Sequence, residues 1–357
     1  MHFTQNRLRS LLVASAAGAV LLTATACSSS GTVSSTGGAT PTQLTSVTFA
    51  LSVSSPDAGQ IWAYMTTQGG FFEKQGLKVD FSLNKGGTAA LQQVAAGNAD
   101  FGENTAQGLM NSVVQGLPVV GVATLIPRQI YGFYAPVDSS IKGYADLKGK
   151  KIGISSPTSG AYPFAQAALA GEGIDPTNDV TFVTTGSGAP QLTALKNGGV
   201  DAVVTWDTQV ATFQNLGTSL TALPKTAISK LPADLITTNT SLLKSDPDLV
   251  TRFARAVLAS VAYAEANPDK ALAAFKAQFP EASTGQTDAQ IMAAIQARLD
   301  SLKLSSDQKT WGDMPMTGYQ QLMDASVKFK AVSAPVKLSK VLDPSLLPKI
   351  QDFSSTN

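Results

Sequence analysis

One turn occurs twice in this chain. Ser54-Ser55-Pro56-x-x-Gly59 returns as Ser155-Ser156-Pro157-x-x-Gly160, an offset of 101 residues. The same offset relates Gly87, Leu91, Val94, Gly97 and Asp100 to Gly188, Leu192, Leu195, Gly198 and Asp201. Between these blocks Gly76-Leu77 matches Gly173-Ile174, with a four-residue insertion before Val180. One offset shared by separate blocks marks a duplicated unit, so whatever one copy folds into, the chain contains as a pair.

Each copy spells strand, helix, strand, helix, strand. An alternating apolar run (47–53; 151–156) leads through the Ser-Pro-Gly turn into a helix (57–69; 159–171). A second strand (78–83; 179–184) ends in a Gly-rich loop (84–88; 185–189), and a helix carrying Leu91 and Val94, or Leu192 and Leu195, follows. Pro190 suits a first helical turn, and Gly97 and Gly198 suit helix ends. Third strands follow at Ala99–Gly102 and Asp201–Thr205. Alternation of this kind builds parallel sheets with right-handed crossovers. The expected fold class is α/β: two lobes, each a parallel-rich sheet with flanking helices.

The lobes need not be contiguous. Val119–Thr124, Tyr131–Ala135 and Leu235–Thr238 also have strand patterns. Ser245-Asp246-Pro247 and Asn267-Pro268 start helices, the first with Leu249, Phe253, Val257 and Val261 on one face. This last region has no second repeat of its own and is expected to return to the first lobe. Residues 46–135 plus 235–357 then make lobe 1 and 136–234 lobe 2, joined by a hinge of two crossings.

The scarcest residue types bound the chemistry. The only histidine is His2 and the only cysteine Cys27. The body therefore has no thiolate nucleophile, no Ser-His-Asp triad, no zinc site of the usual ligands and no internal disulfide. The charge balance, 26 basic against 25 acidic residues, gives no surplus for a phosphate backbone, so nucleic acid is not an expected partner. Residues 1–27 have the pattern of an export leader: Arg7 and Arg9, an apolar Leu11–Leu22 stretch, then Ala24-Thr25-Ala26-Cys27. The last four resemble a lipobox, with Cys27 the lipidated mature N-terminus. Ala24 stands where that pattern prefers Leu, and the same residues also fit ordinary cleavage after Ala26. Residues 28–45 are rich in Ser, Gly and Thr, a flexible tether with a reach of about 20–25 Å. Lipidation places the protein on the outer face of the cell membrane; simple cleavage leaves it periplasmic.

Five segments, in order, resemble one family. They are Gly69-Gly70-Phe71-Phe72-Glu73-Lys74-Gln75-Gly76-Leu77-Lys78-Val79, then Ala95–Gly102, Tyr144–Gly153, Gly198–Ala202 and Leu243–Pro268. They are similar to motifs of substrate-binding proteins of ABC importers, in the nitrate, sulfonate, taurine and thiamine-precursor class. The resemblance covers residues 46–350. It implies a type II periplasmic-binding-protein fold that closes two lobes on a small-molecule ligand, docks on a membrane permease, acts as a monomer and needs no cofactor.

In open parallel sheets, ligands sit beyond the carboxyl ends of the strands, where helix N-termini offer free N–H groups. The repeat then names candidates. Ser54, Ser55 and Asp57 follow the first strand of one lobe; Thr158, Ser159, Gly160, Ala161 and Tyr162 follow that of the other. The Gly-rich loops add Asn84, Gly87, Thr88 and Ser187. The third strands end at Glu103, Asn104 and Thr105, and at Trp206 and Asp207. The serines equally suit helix caps, Tyr162 and Trp206 equally suit core, and Glu103 and Asp207 equally suit solvated or hinge positions. Trp62 reads as core-facing. Of the four arginines after the leader, Arg252, Arg255 and Arg298 read as surface charges on helices, while Arg128, between two apolar strands, is the candidate for a bidentate contact to an anion. Either a sulfonate-like anion or a flat heterocycle such as a thiamine precursor suits this inventory. An enzyme on the same fold, with Glu103 and Asp207 as acid and base, and a sensor presenting its ligand to a receptor are the alternatives.

Overall fold

The computed structural model describes residues 43–353. Its strands are β1 (Thr45–Leu51), β2 (Leu77–Leu83), β3 (Phe101–Thr105), β4 (Val119–Ile126), β5 (Tyr131–Pro136), β6 (Lys151–Ile154), β7 (Thr181–Thr184), β8 (Ala202–Trp206), β9 (Leu220–Ala222) and β10 (Asp234–Asn239). The repeat is visible as topology. In one sheet β1 pairs parallel with β2 and β3; in the other β6 pairs parallel with β7 and β8. The full orders are β2-β1-β3-β10-β4 and β7-β6-β8-β5-β9. Each parallel trio is extended by an antiparallel strand from the other side of a crossing, β10 beside β3 and β5 beside β8.

Strand β5 corrects the expected lobe boundary. Tyr131–Tyr134 pair with Trp206–Val203, so this strand belongs to the second sheet. The first crossing lies at 127–130 and not after residue 135. An apolar strand pattern carries no label for its sheet. The second crossing lies between β9 and β10. The leader, Cys27 and most of the 28–45 tether lie outside the described residues; β1 begins at Thr45.

The C-terminal helices do not stay with one lobe. Helices Pro247–Ala266 and Pro268–Gln278 pack on Ile61–Gln68 of lobe 1. Phe253 stacks on Phe101 at 3.8 Å between ring centres and meets Phe49 edge-on at 5.0 Å. Asp246 caps the first of these helices by accepting from the Leu249 amide, as its sequence predicts. Helix Asp288–Leu302, however, lies on Asp207–Asn215 of lobe 2 as well as on Pro268–Gln278, and Met316–Lys328 touches both Ala106–Val114 and Ala161–Gly171. One apolar cluster joins Leu91 and Leu109 of lobe 1 to Phe133 and Phe164 of lobe 2. The described residues form one compact unit, and none of their helices is long and apolar enough to cross a membrane.

Candidate functional site

Strands β1, β3 and β10 lie side by side in the first sheet. Glu103 lies within β3 and is buried; its Oε1 accepts from the Ser52 amide at 3.0 Å, and Ser52 Oγ donates to the Glu103 carbonyl. Asp234 opens β10 opposite Thr105, on the same sheet face as Glu103. Burial, with a contribution from Asp234, pushes the Glu103 carboxyl up to about 8, against the pull of Arg298. Burial raises Asp234 to about 6. The indole N–H of Trp62 is close enough to Glu103 to favour its charged form. Asp234 Oδ1 and Thr208 Oγ1 are buried and make no hydrogen bond.

The second lobe closes on this cluster. Trp206 Nε1 donates to Asp57 Oδ2 at 3.2 Å, while Asp57 Oδ1 accepts from the Gly59 amide at 2.6 Å. Burial raises the Asp57 carboxyl, opposed by Arg298. Arg298 donates from Nε and Nη2 to the two oxygens of Asp207 at 3.0 and 2.8 Å, and from Nη1 to the Gly59 carbonyl at 3.1 Å. Its guanidinium also sits 5.4 Å from the Trp62 ring centre. Burial pulls the guanidinium down, but Asp207, Asp57 and Asp234 together outweigh it and the net shift is upward.

Arg298 overturns its reading as a surface charge: it is 2% exposed. The helix that carries it starts at a capping box between Thr287 and Gln290 and buries Ile291, Ala294, Ile295, Leu299 and Leu302. Position 298 falls on that stripe. A cation inside an apolar stripe is the signal that exposes it.

At the mouth of the cleft the lobes touch through their loops. Thr158 Oγ1 donates to the Lys85 carbonyl at 2.7 Å, and the Thr88 amide to the Thr158 carbonyl at 3.3 Å. A cavity of about 310 Å³ opens there, lined among others by Gly87, Thr88, Thr105, Thr158, Ser159, Gly160 and Tyr162. Gly160 is required by space, since its φ of −63° suits any residue. A Cβ there would stand 2.6 Å from Tyr131 Oη and run into Thr105 across the cleft. Gly160→Ala is expected to cost about 1–3 kcal/mol, read as a lower urea midpoint. A variant as stable as the parent would show that the lobes do not meet at this point.

Other candidates serve the scaffold. Arg128 Nη2 donates to the Lys303 and Leu304 carbonyls at 2.5 and 3.1 Å, covering the end of the Asp288–Leu302 helix, while its Nε is buried without a partner. Asn84 Nδ2 ties to the Leu51 and Ser82 carbonyls, and Asn104 Nδ2 to that of Gly87. Ser54 and Ser55 are exposed, Ser187 is half-buried in its loop, and Ala161 is buried at the start of its helix. Thr105 caps the next helix, accepting from the Gly108 amide. Ser52, Tyr131, Asp234 and Arg298 join the site without having been candidates, and Trp62 joins it from what reads as core.

The NMT1/THI5-like family model matches residues 59–271. The riboflavin-binding protein RibY of Chloroflexus aurantiacus is 27% identical over 231 residues, 64% of this chain and 65% of its own. The chain thus spans less than two thirds of the length of that relative. Among solved structures, a protein of Bordetella bronchiseptica matches with a TM-score of 0.71 at 23% identity, covering 86% of this chain and 97% of that one. The alkanesulfonate-binding protein SsuA of Xanthomonas axonopodis pv. citri, bound to MOPS, matches with a TM-score of 0.68 at 16% identity, covering 85% and 99%. These two likenesses are of fold.

Proposed function

Because the chain belongs to the NMT1/THI5-like family, we propose that it is the extracytoplasmic solute-binding component of an ABC importer, taking one small organic molecule between its lobes and doing no covalent chemistry on it. The observation that carries this reading is the cavity of about 310 Å³ between the two sheets' units, with Thr88 and Thr105 on one side and Thr158, Ser159, Gly160 and Tyr162 on the other. Small-molecule sites occur preferentially in clefts where two units of a fold meet. A body without histidine or cysteine suits capture better than catalysis.

The lobes hold each other through Trp206–Asp57, Arg298–Asp207 and the Thr158 contacts, the arrangement of a closed clamp. Release then requires these contacts to part, and the closed face is what a permease would recognise. Cys27 and the tether that follows would keep the protein at the membrane. RibY is described as binding riboflavin and SsuA as binding alkanesulfonates, which brackets the first ligands to try.

The test is thermal unfolding of the purified protein with riboflavin, aminopyrimidines, alkanesulfonates and nitrate. A true ligand should raise stability by about 2.7 kcal/mol at a hundredfold excess over Kd and be recovered unchanged. A saturable change in the fluorescence of Trp62 and Trp206 should accompany it. Conversion of the ligand, or indifference to every solute, counts against the proposal.

A further inference from the structure

We propose that the interface around Arg298 is a proton-operated clamp: the two lobes close while the lobe 1 carboxyl groups gathered there hold protons, and part as those groups ionise. This goes beyond solute capture and concerns the protein by itself. Three carboxyl groups of lobe 1, Asp57, Glu103 and Asp234, and one of lobe 2, Asp207, share the Arg298 guanidinium. That guanidinium is largely committed: Nε and Nη2 are on the two oxygens of Asp207, and Nη1 is on the Gly59 carbonyl. Glu103, Asp234 and Arg298 are buried, and Asp234 Oδ1 makes no hydrogen bond. Closing the lobes sets Asp207 against both Asp57 and Asp234, so two encounters of like charge lie across the interface.

The surroundings of each group set the sign. Asp57 faces Arg298, the Gly59 amide, Asp207 and the Trp206 indole N–H, with the Tyr64 hydroxyl nearby. Asp234 faces Arg298 and Asp207, with Glu103 and the hydroxyls of Tyr131 and Tyr319 near it. Glu103 faces the Ser52 amide, Asp234, Arg298, the Trp62 indole N–H and Tyr131. At all three carboxyl groups burial is the larger cause and a neighbouring carboxyl adds to it; together they outweigh Arg298 and the N–H donors. The result is upward at Asp57, to about 6 at Asp234 and to about 8 at Glu103. Parting the lobes lets water reach the cluster and moves Asp207 away, so these groups ionise nearer their ordinary values. The closed form therefore holds more protons than the open one. Raising the pH favours opening, by about tenfold in the open-to-closed ratio per pH unit for each proton released. Below the ordinary carboxylate range the groups are protonated in both forms, and the bonds Trp206–Asp57 and Arg298–Gly59 keep the lobes together.

The experiment is energy transfer between dyes on Asp80→Cys and Lys196→Cys, exposed positions in lobe 1 and lobe 2, measured from pH 5 to 9 on protein stripped of bound solute by unfolding and refolding. Cys27→Ser removes the one thiol of the chain, so only the two dyes' sites react. Small-angle scattering of the unlabelled protein repeats the measurement. Falling transfer and a growing radius of gyration as the pH rises, with circular dichroism unchanged, are the expected result. Asp57→Asn and Asp234→Asn keep the side-chain shape without the charge, and each should open at higher pH and less steeply than the parent. Transfer that stays level from pH 5 to 9 in the parent overturns the clamp, and so does opening on acidification. Parent-like midpoint and steepness in both variants also overturns it, since the protons would then come from elsewhere. If a variant does not fold, the parent titration and Glu103→Gln, held to the same expectation, decide. No solute enters these measurements, so their failure leaves solute capture standing.

Discussion

Arg298→Ala should destabilise the protein by about 3–5 kcal/mol, because it leaves Asp207 charged and unpaired in a buried setting. The loss has three parts in the structure: the two bonds to Asp207, the bond to the Gly59 carbonyl and the stacking over Trp62. Since these join the Asp207–Asn215 helix to the loop before Ile61–Gln68, part of the loss should show as lobe opening. Small-angle scattering should record a larger radius of gyration in conditions where the chain is still folded. Arg298→Lys keeps the charge but not the planar fork and should fall between the two. A urea midpoint for Arg298→Ala equal to that of the parent would mean that the pair is absent in solution. Replacing Asp207 and Arg298 together with apolar residues should restore much of the loss, the usual behaviour of a buried pair removed whole.

Stability should fall as pH rises from about 4.5 to about 8. Glu103 is raised in the folded protein to about 8 from an ordinary value near 4.5. Between those values the folded state holds a proton that the unfolded state has released, so unfolding is favoured by raising pH. The contribution is fully present below the unfolded value and is lost by the time the pH passes the folded one. At about 1.4 kcal/mol per unit, the span amounts to roughly 4–5 kcal/mol. Asp234, raised to about 6, adds a smaller fall of the same sign over the acidic part of the window. Urea titrations at intervals across pH 5–9 measure this directly. Glu103→Gln should flatten the profile and exceed the parent in stability above pH 8. A parent profile that is level from pH 5 to 8, or a variant with the same slope, would mean that Glu103 ionises freely in the cleft.

The strand-helix units and their matched ends were legible because the duplication repeats them in the same order, and residues that share a strand end share a place in the fold. Five segments in order also marked the family. What escaped was everything that depends on a partner far along the chain. Tyr131–Ala135 shows its strand pattern but not that it pairs with β8. Arg298 sits on an apolar stripe, and its reading as a surface charge followed from its residue type instead of its position on the helix. Trp62 is buried as expected; its burial alone could not separate a purely apolar core indole from one whose N–H faces a buried carboxyl, that of Glu103. Arg128 was a candidate because it lay between strands, and its sequence position does not show that one of its nitrogens is bound by the free carbonyls at the end of a helix. Local pattern fixes which faces are covered, and long-range pairing decides by what.

The place of β10 between β3 and β4 has a consequence for how the molecule is put together. Those two strands are separated by only 13 residues of chain, 106–118, yet they do not pair; a strand made more than a hundred residues later fills the gap. A chain delivered N-terminus first must therefore hold its first sheet unfinished while the whole second lobe is made. The lobe begun first is completed last. Its open edge waits for Asp234–Asn239, and the cleft waits longer still, until Arg298 arrives.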